Sequence, residues 1–195
     1  MSAGAEKLRL FLALLVPSEV KAGLSAAQDE LRRLLPPCAA SWAKPDNMHL
    51  TLRFLGNVDE NRVDELISSV TTATAEFGAL SLVSERLGTF PDLRYPRVIW
   101  GWVHDQADRL AELQRRVASA TNDFTREHAD EKFTGHITLA RIKQIKRPQA
   151  EIIASFLQSA VNRRFGAWTA DHIELIRSEL SPDGSRYTCR AKFPL

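Results

Sequence analysis

Four residues carry groups able to move protons around a phosphate, and they come as two matched pairs. His49 and Thr51 lie in His49-Leu50-Thr51-Leu52, and His136 and Thr138 in His136-Ile137-Thr138-Leu139. The two copies are 87 residues apart. Each sits in a run that reads as a β-strand, Met48 to Leu55 and Phe133 to Ile142. Side chains i and i+2 of a strand share a face, so each histidine projects beside its own threonine while the leucines and Ile137 turn away. Histidine titrates near pH ~6.5, so near neutrality one imidazole can be neutral and the other protonated. Two hydroxyls can donate to oxygens on which negative charge develops.

Other chemistries find less support. Catalytic zinc takes about three protein ligands and hard divalent ions want carboxylates, yet neither motif contains a carboxylate and threonine is a poor ligand. No GxSxG elbow and no glycine-rich phosphate loop occurs. Metal-free acid–base chemistry is what remains. A single His-x-Thr is a weak signal, since two half-buried strand histidines bonded to nearby threonines would look the same. The other three histidines serve as controls. His104 is expected to be solvated at a strand end, and His128 exposed in the polar stretch Arg126–Lys132. His172 heads the lookalike His-Ile-Glu-Leu, but Glu174 offers a carboxylate where a phosphate site wants a neutral donor.

The elements that must position the motifs repeat. Leu8–Val16 reads as a buried strand, and a helix with Ser18 as its cap follows, carrying Val20, Leu24, Ala27, Leu31 and Leu34 until Pro36-Pro37. The first motif strand comes next, then a helix from Asp59 and a strand over Ala79–Leu87 that ends in the turn-rich Gly88–Asp92. The order then recurs: a strand over Arg97–Val103, a helix from Asp105, the second motif strand, a helix from about Pro148, a strand around Ile173–Leu180, and a last strand through Tyr187. An internal duplication explains this. The expected product is a single domain spanning 1–195, with repeat halves at about 7–90 and 95–192. Its class is α+β: two pseudo-symmetric lobes whose antiparallel sheets line a central cleft, helices outside.

Composition sets the bounds. With 195 residues, 44% hydrophobic and 26% charged, the chain reads as an ordinary globular domain. A formal charge of +2 is too small for a general nucleic-acid coat but compatible with a local basic patch. Two cysteines, Cys38 and Cys189, form no disulfide framework, so the cytoplasm is the expected compartment. Lys7 and Arg9 before Leu10–Val16 faintly resemble a secretory leader, but the run is short and reads as core; no stretch approaches a membrane span.

At these residues the sequence resembles the two-histidine phosphoesterases, and within them the RNA 2′,3′-cyclic phosphodiesterases, also called 2′-5′ RNA ligases. The resemblance is carried by Arg9–Leu14, His49–Gly56, Leu87–Pro91, Pro96–Trp100, His136–Arg141, Tyr187 and Phe193–Leu195. Gly135 departs from it, standing where proline is common before the second histidine, which predicts a looser start to that strand. The resemblance implies hydrolysis of an RNA or nucleoside 2′,3′-cyclic phosphate to a 2′-phosphate without metal or nucleotide cofactor, with His49 as proton donor and His136 as acceptor. Run in reverse, the same pair would join a cyclic phosphate end to a 5′-hydroxyl. Thr51 and Thr138 are expected on the non-bridging oxygens. Arg53 shares parity with His49 and is expected to steady the phosphate, whereas Arg141 needs the strand to twist or end before it reaches in. Trp42 and Phe90 are candidates to stack a base. The expected partner is an RNA or nucleotide with a cyclic phosphate end, the protein acting as a monomer away from membranes. Two alternatives stand beside this reading: an RNA-end binding module with little turnover, and a phosphodiesterase for another cyclic phosphate.

Overall fold

The computed structural model of the protein describes residues 6–126, 133–182 and 184–195. The expected exposure of His128 lies outside the described residues. Along the chain run β1 (Lys7–Leu15), α1 (Ser18–Leu34), β2 (Ala40–Trp42), β3 (His49–Asp59), α2 (Val63–Thr74) and β4 (Leu80–Phe90). There follow β5 (Val98–His104), α3 (Arg109–Thr121), β6 (His136–Ile142), α4 (Arg147–Ser159), β7 (Arg164–Ala170), β8 (His172–Ser181) and β9 (Gly184–Pro194).

The α+β class holds, and every strand pairing is antiparallel. The two halves share one curled sheet rather than holding separate ones, in the order β7-β4-β5-β6-β3-β1-β8-β9, with β2 beside β6. The motif strands β3 and β6 are central neighbours. Two strands were not expected: β2, a three-residue strand that follows Pro36-Pro37, and β7, whose Gly166 and mixed alternation hide its strand character.

Helix starts follow local hydrogen bonding. Ser18 is the first helical residue of α1 rather than its cap, and the Pro17 carbonyl accepts the Lys21 N–H. α3 starts at Arg109 because the Asp105 carboxylate first gathers the N–H groups of Ala107, Arg109 and Leu110 into a turn.

Alternation sorts the sheet into two faces. Leu10, Leu12 and Leu14 of β1, Leu50 and Leu52 of β3, and Ile137 and Leu139 of β6 are buried in the main core, together with Leu24 and Leu31 of α1 and Leu113 and Val117 of α3. Burying one such side chain contributes about 1.5–3 kcal/mol, and a one-residue slip would expose the whole set, so the register of β3 and β6 is strongly held. On the opposite, concave face a second cluster joins Phe11, Ala13 and Ile176, with Tyr187 packed against it.

Candidate active site

β3 and β6 meet at a single bridge, Leu50 opposite Ile137. Both side chains are fully buried, which turns their neighbours to the concave face. Carried one residue each way, the antiparallel register sets His49 opposite Thr138 and Thr51 opposite His136. Each histidine therefore lies beside the threonine of the other half as well as its own. All four side chains are partly exposed.

Three residues after each histidine the strand bulges. Ala13 pairs with Thr51 and Leu12 with Arg53, leaving Leu52 unpaired; Trp100 pairs with Thr138 and Ile99 with Ala140, leaving Leu139 unpaired. An extra residue reverses the alternation beyond it. Arg53 consequently turns to the core face, 5% exposed, where its guanidinium donates to Asn122 Oδ1 at the end of α3. The parity expected for it does not survive the bulge. Phe54 takes the concave face instead, with its ring 6.0 Å from Phe11. In β6 the same reversal brings Arg141, opposite Val98, out onto the concave side. Arg141 is thus the arginine that the sheet delivers to the histidines.

Both imidazoles are held alike. Nδ1 of His49 bonds the Asn47 carbonyl at 2.7 Å, and Nδ1 of His136 bonds the Thr134 carbonyl at 2.8 Å. A carbonyl only accepts, so Nδ1 carries the proton, and Nε2 of a neutral ring is left to accept one. Asn47 is itself tied to β9, its side-chain amide donating to the Ser185 carbonyl. His49 lies against Phe11 and Tyr187, with ring centroids at 4.8 and 5.4 Å. His136 lies against Phe90 at 5.1 Å and Trp100 at 6.2 Å. Burial is the largest influence on His49 and pushes its pKa down to about 4; the Asn47 carbonyl opposes this, while the charges of Lys21, His136 and Arg141 add to it.

The remaining candidates separate. Phe90 stands edge-on to His136, within the site. Trp42 does not: it pairs opposite core residue Ala140, packs against the main core, and receives the Arg32 guanidinium over its ring. His104, expected to be solvated, is half-buried, stacked on Trp102 and 3.4 Å from Glu85. His172 is held between carboxylates, 2.6 Å from Asp171 and 3.5 Å from Glu174. Phe11, Trp100 and Lys21 also adjoin the histidines, and no sequence signal marks them. Phe11 and Trp100 read as ordinary strand apolars, and a lysine in the first turns of an amphipathic helix carries no signal of its own.

Two further residues hold the β6 side in shape. A Cβ on Gly135 would stand 2.4 Å from the Val103 carbonyl oxygen, and the Val103 N–H donates to the Gly135 carbonyl at 2.9 Å. The start of β6 is therefore pinned against β5, not loose. Gln28 of α1, 3% exposed, donates to the carbonyls of Ala43 and Leu139, each at 2.8 Å. Leu139 is the bulged residue, so Gln28 braces the distortion that presents Arg141. Among the described residues no three His, Cys, Asp or Glu side chains converge as a metal site would need.

An antiparallel sheet carrying two facing His-x-Thr motifs on its concave side, with helices behind, defines a two-histidine phosphoesterase. The chain belongs to the LigT-like phosphoesterase family, whose sequence profile matches residues 14–100 and again 102–187. It is 31% identical to the RNA 2′,3′-cyclic phosphodiesterase of Aquifex aeolicus, over 79% of this chain and 81% of that protein. With the enzyme of that name from Methanocaldococcus jannaschii it shares 26% identity, over 92% of this chain and 96% of the other. Among solved structures, TT0787 of Thermus thermophilus superposes with a TM-score of 0.78 at 27% identity, covering 96% of this chain and 98% of that one. E. coli LigT complexed with 3′-AMP has the same fold, with a TM-score of 0.76 at 23% identity over 97% and 99% of the two chains.

Proposed function

We propose that the protein hydrolyses the 2′,3′-cyclic phosphate of RNA ends or nucleosides to a 2′-phosphate by acid–base catalysis between His49 and His136. The single observation carrying this is the Leu50–Ile137 bridge, which sets the two His-x-Thr motifs face to face. Water attacks phosphorus as one imidazole Nε2 takes its proton; the P–O3′ bond breaks and the other imidazolium supplies the proton to O3′. Thr51, Thr138 and Arg141 face the same space and stabilise the charge on the non-bridging oxygens. Phe90 and Tyr187 flank the nucleoside. The names of the relatives and the family membership support the substrate class. Reverse 2′-5′ ligation requires the same groups. We read the halves 7–90 and 95–192 as a duplication within one domain, working as a monomer in the cytoplasm; two exposed free cysteines fit a reducing compartment. Among the described residues no helix is long and apolar enough to cross a membrane.

Family resemblance makes His49 the donor and His136 the acceptor. A second ordering is favoured by the depressed pKa of His49, which leaves that ring neutral in the free protein, in the protonation state that a proton acceptor needs. A substrate with sulfur in place of O3′ needs no proton on its leaving group and decides the order. It restores the rate of the variant lacking the acid and does nothing for the variant lacking the base.

The reading is tested by incubating the purified protein in EDTA with 2′,3′-cyclic nucleotides and a cyclic-phosphate-ended oligonucleotide. The expected product is the 2′-phosphate. Binding without turnover would identify an RNA-end binding module instead, and turnover restored only by added divalent metal would end the two-histidine mechanism.

A further inference from the structure

The two motif histidines are held by the same kind of bond, but what stands behind that bond differs between the halves. His136 leans on the Thr134 carbonyl, and the residue between them is pinned to β5, the Val103 N–H donating to the Gly135 carbonyl at 2.9 Å. His49 leans on the Asn47 carbonyl, and there the backbone support is local. Asn47 closes a single 3₁₀ turn over Pro45–Asn47, none of whose residues is buried. The Asn47 N–H reaches back to the Lys44 carbonyl at 2.9 Å. The residue between Asn47 and His49 is Met48, whose side chain is buried, but its N–H also returns to the turn, to the Pro45 carbonyl at 3.1 Å. One turn of this kind has few hydrogen bonds, and their geometry is poor.

Further support comes from the far end of the chain. The Asn47 side-chain amide donates to the Ser185 carbonyl at 2.9 Å, across 138 residues of sequence. A carbonyl only accepts, so the amide nitrogen must be the atom that faces β9. Ser185 stands two residues before Tyr187 on the same strand, and Tyr187 is edge-on to His49 with ring centroids 5.4 Å apart. One short stretch of β9 therefore meets His49 twice, through the Tyr187 ring and through Asn47 at Nδ1. Which nitrogen of an imidazole carries the proton is set by the bond the ring makes. With Nδ1–H on the Asn47 carbonyl, Nε2 is the atom left to exchange a proton with the substrate. A carbonyl that drifts lets the ring turn or change tautomer, and either change takes Nε2 out of the reaction.

We propose that Asn47 is a positioning residue of the reaction: its side-chain bond to β9 fixes the carbonyl that orients His49, so that the C-terminal hairpin is a functional part of the first motif's site. The inference rests on the activity proposed above. The two motifs are matched in sequence, yet the β9 tether serves His49 and the β5 ladder serves His136. A disturbance of the hairpin is therefore felt by His49 first.

The test uses Asn47→Ala, which removes the tether, and Asn47→Asp, which keeps the size of the side chain but offers the Ser185 carbonyl an acceptor in place of a donor. Asn47 is partly exposed, so both variants should fold. Ring ¹⁵N chemical shifts near neutral pH, read without substrate, report the tautomer. Wild-type His49 should carry its proton on Nδ1; in both variants it should move toward Nε2, while the His136 ring is unchanged. On a 2′,3′-cyclic nucleotide kcat should fall about 10–100-fold, the scale seen when the group behind a metal-bound imidazole is lost, with KM within about twofold. In a His49→Ala background, adding Asn47→Ala should cost less than about twofold more, because the residue acts through that ring. An unmoved His49 tautomer in both variants would overturn the assignment. So would an equal loss of kcat from Asn47→Ala with and without the His49 ring, or a lower Tm with kcat unchanged, which would make the bond a structural tie only. Since the tautomer is read on the free protein, a shift at His49 in a protein inactive on every cyclic phosphate keeps the tether and removes the proposed chemistry.

Discussion

Leu50 and Ile137 pair across the seam between β3 and β6, each the residue that follows a motif histidine. Neither is reactive, yet this pair sets the distance and direction between the two imidazoles. Because the bridge is antiparallel, it also gives each histidine a threonine from the opposite half. The consequences can be measured one group at a time.

His49→Ala and His136→Ala should each lower kcat on the cyclic substrate by about 10²–10⁴, the usual worth of a proton-transfer step. The double variant should lose less than the product of the two, since acid and base serve one transition state. Thr51→Ala and Thr138→Ala should lower kcat while leaving the bell-shaped pH profile in place. His172→Ala, between its carboxylates, should leave turnover nearly unchanged. A near-wild-type rate in either histidine variant would end the two-histidine reading.

Stability should depend on pH through His49. Its pKa is about 4 in the folded protein against about 6.5 when unfolded, so between those values the unfolded chain binds more protons. Stability contributed by the neutral ring is complete above pH ~6.5 and lost as pH falls toward ~4, on the order of 2–3 kcal/mol. Lys21, His136 and Arg141 all oppose protonation there. Denaturant titrations at pH 7 and pH 4.5 should show the drop, and His49→Gln should flatten it.

The two arginines should part company. Arg141→Ala should lower kcat/KM with little change in Tm, because its side chain is exposed on the concave side. Arg53→Ala should lower stability by about 1–3 kcal/mol, since it strips a buried donor from the end of α3. Equal kinetic losses from both would contradict the bulges.

Gly135→Ala should be disproportionately harmful. The new Cβ meets the Val103 carbonyl at 2.4 Å, and backbone cannot step aside as a flexible side chain can. We expect a lower Tm together with a lower kcat, as the Thr134 carbonyl that orients His136 moves with the strand.

Gln28→Leu should act at a distance. It removes both donors from the Ala43 and Leu139 carbonyls, at a cost of about 1–3 kcal/mol in stability. With the bulge unbraced, kcat/KM should fall as it does in Arg141→Ala, and combining the two substitutions should add little further loss.

The sequence alone was enough to place both His-x-Thr pairs on strands, to turn Leu50, Leu52, Ile137 and Leu139 inward, to put helices behind them and to discount His172. Those readings rest on local periodicity and on carboxylates adjacent in the chain, which travel with the sequence wherever it folds. Tertiary structure alone decided which arginine faces the histidines, because a bulge is a mismatch between two strands and neither strand encodes it by itself. It turned Trp42 to the core through pairing with β6, brought Phe11 and Tyr187 to His49 from opposite ends of the chain, and joined the strands of the two halves through the Leu50–Ile137 bridge. It also set the depressed pKa of His49, since desolvation depends on everything packed around the ring and on nothing within reach of its own tetrapeptide.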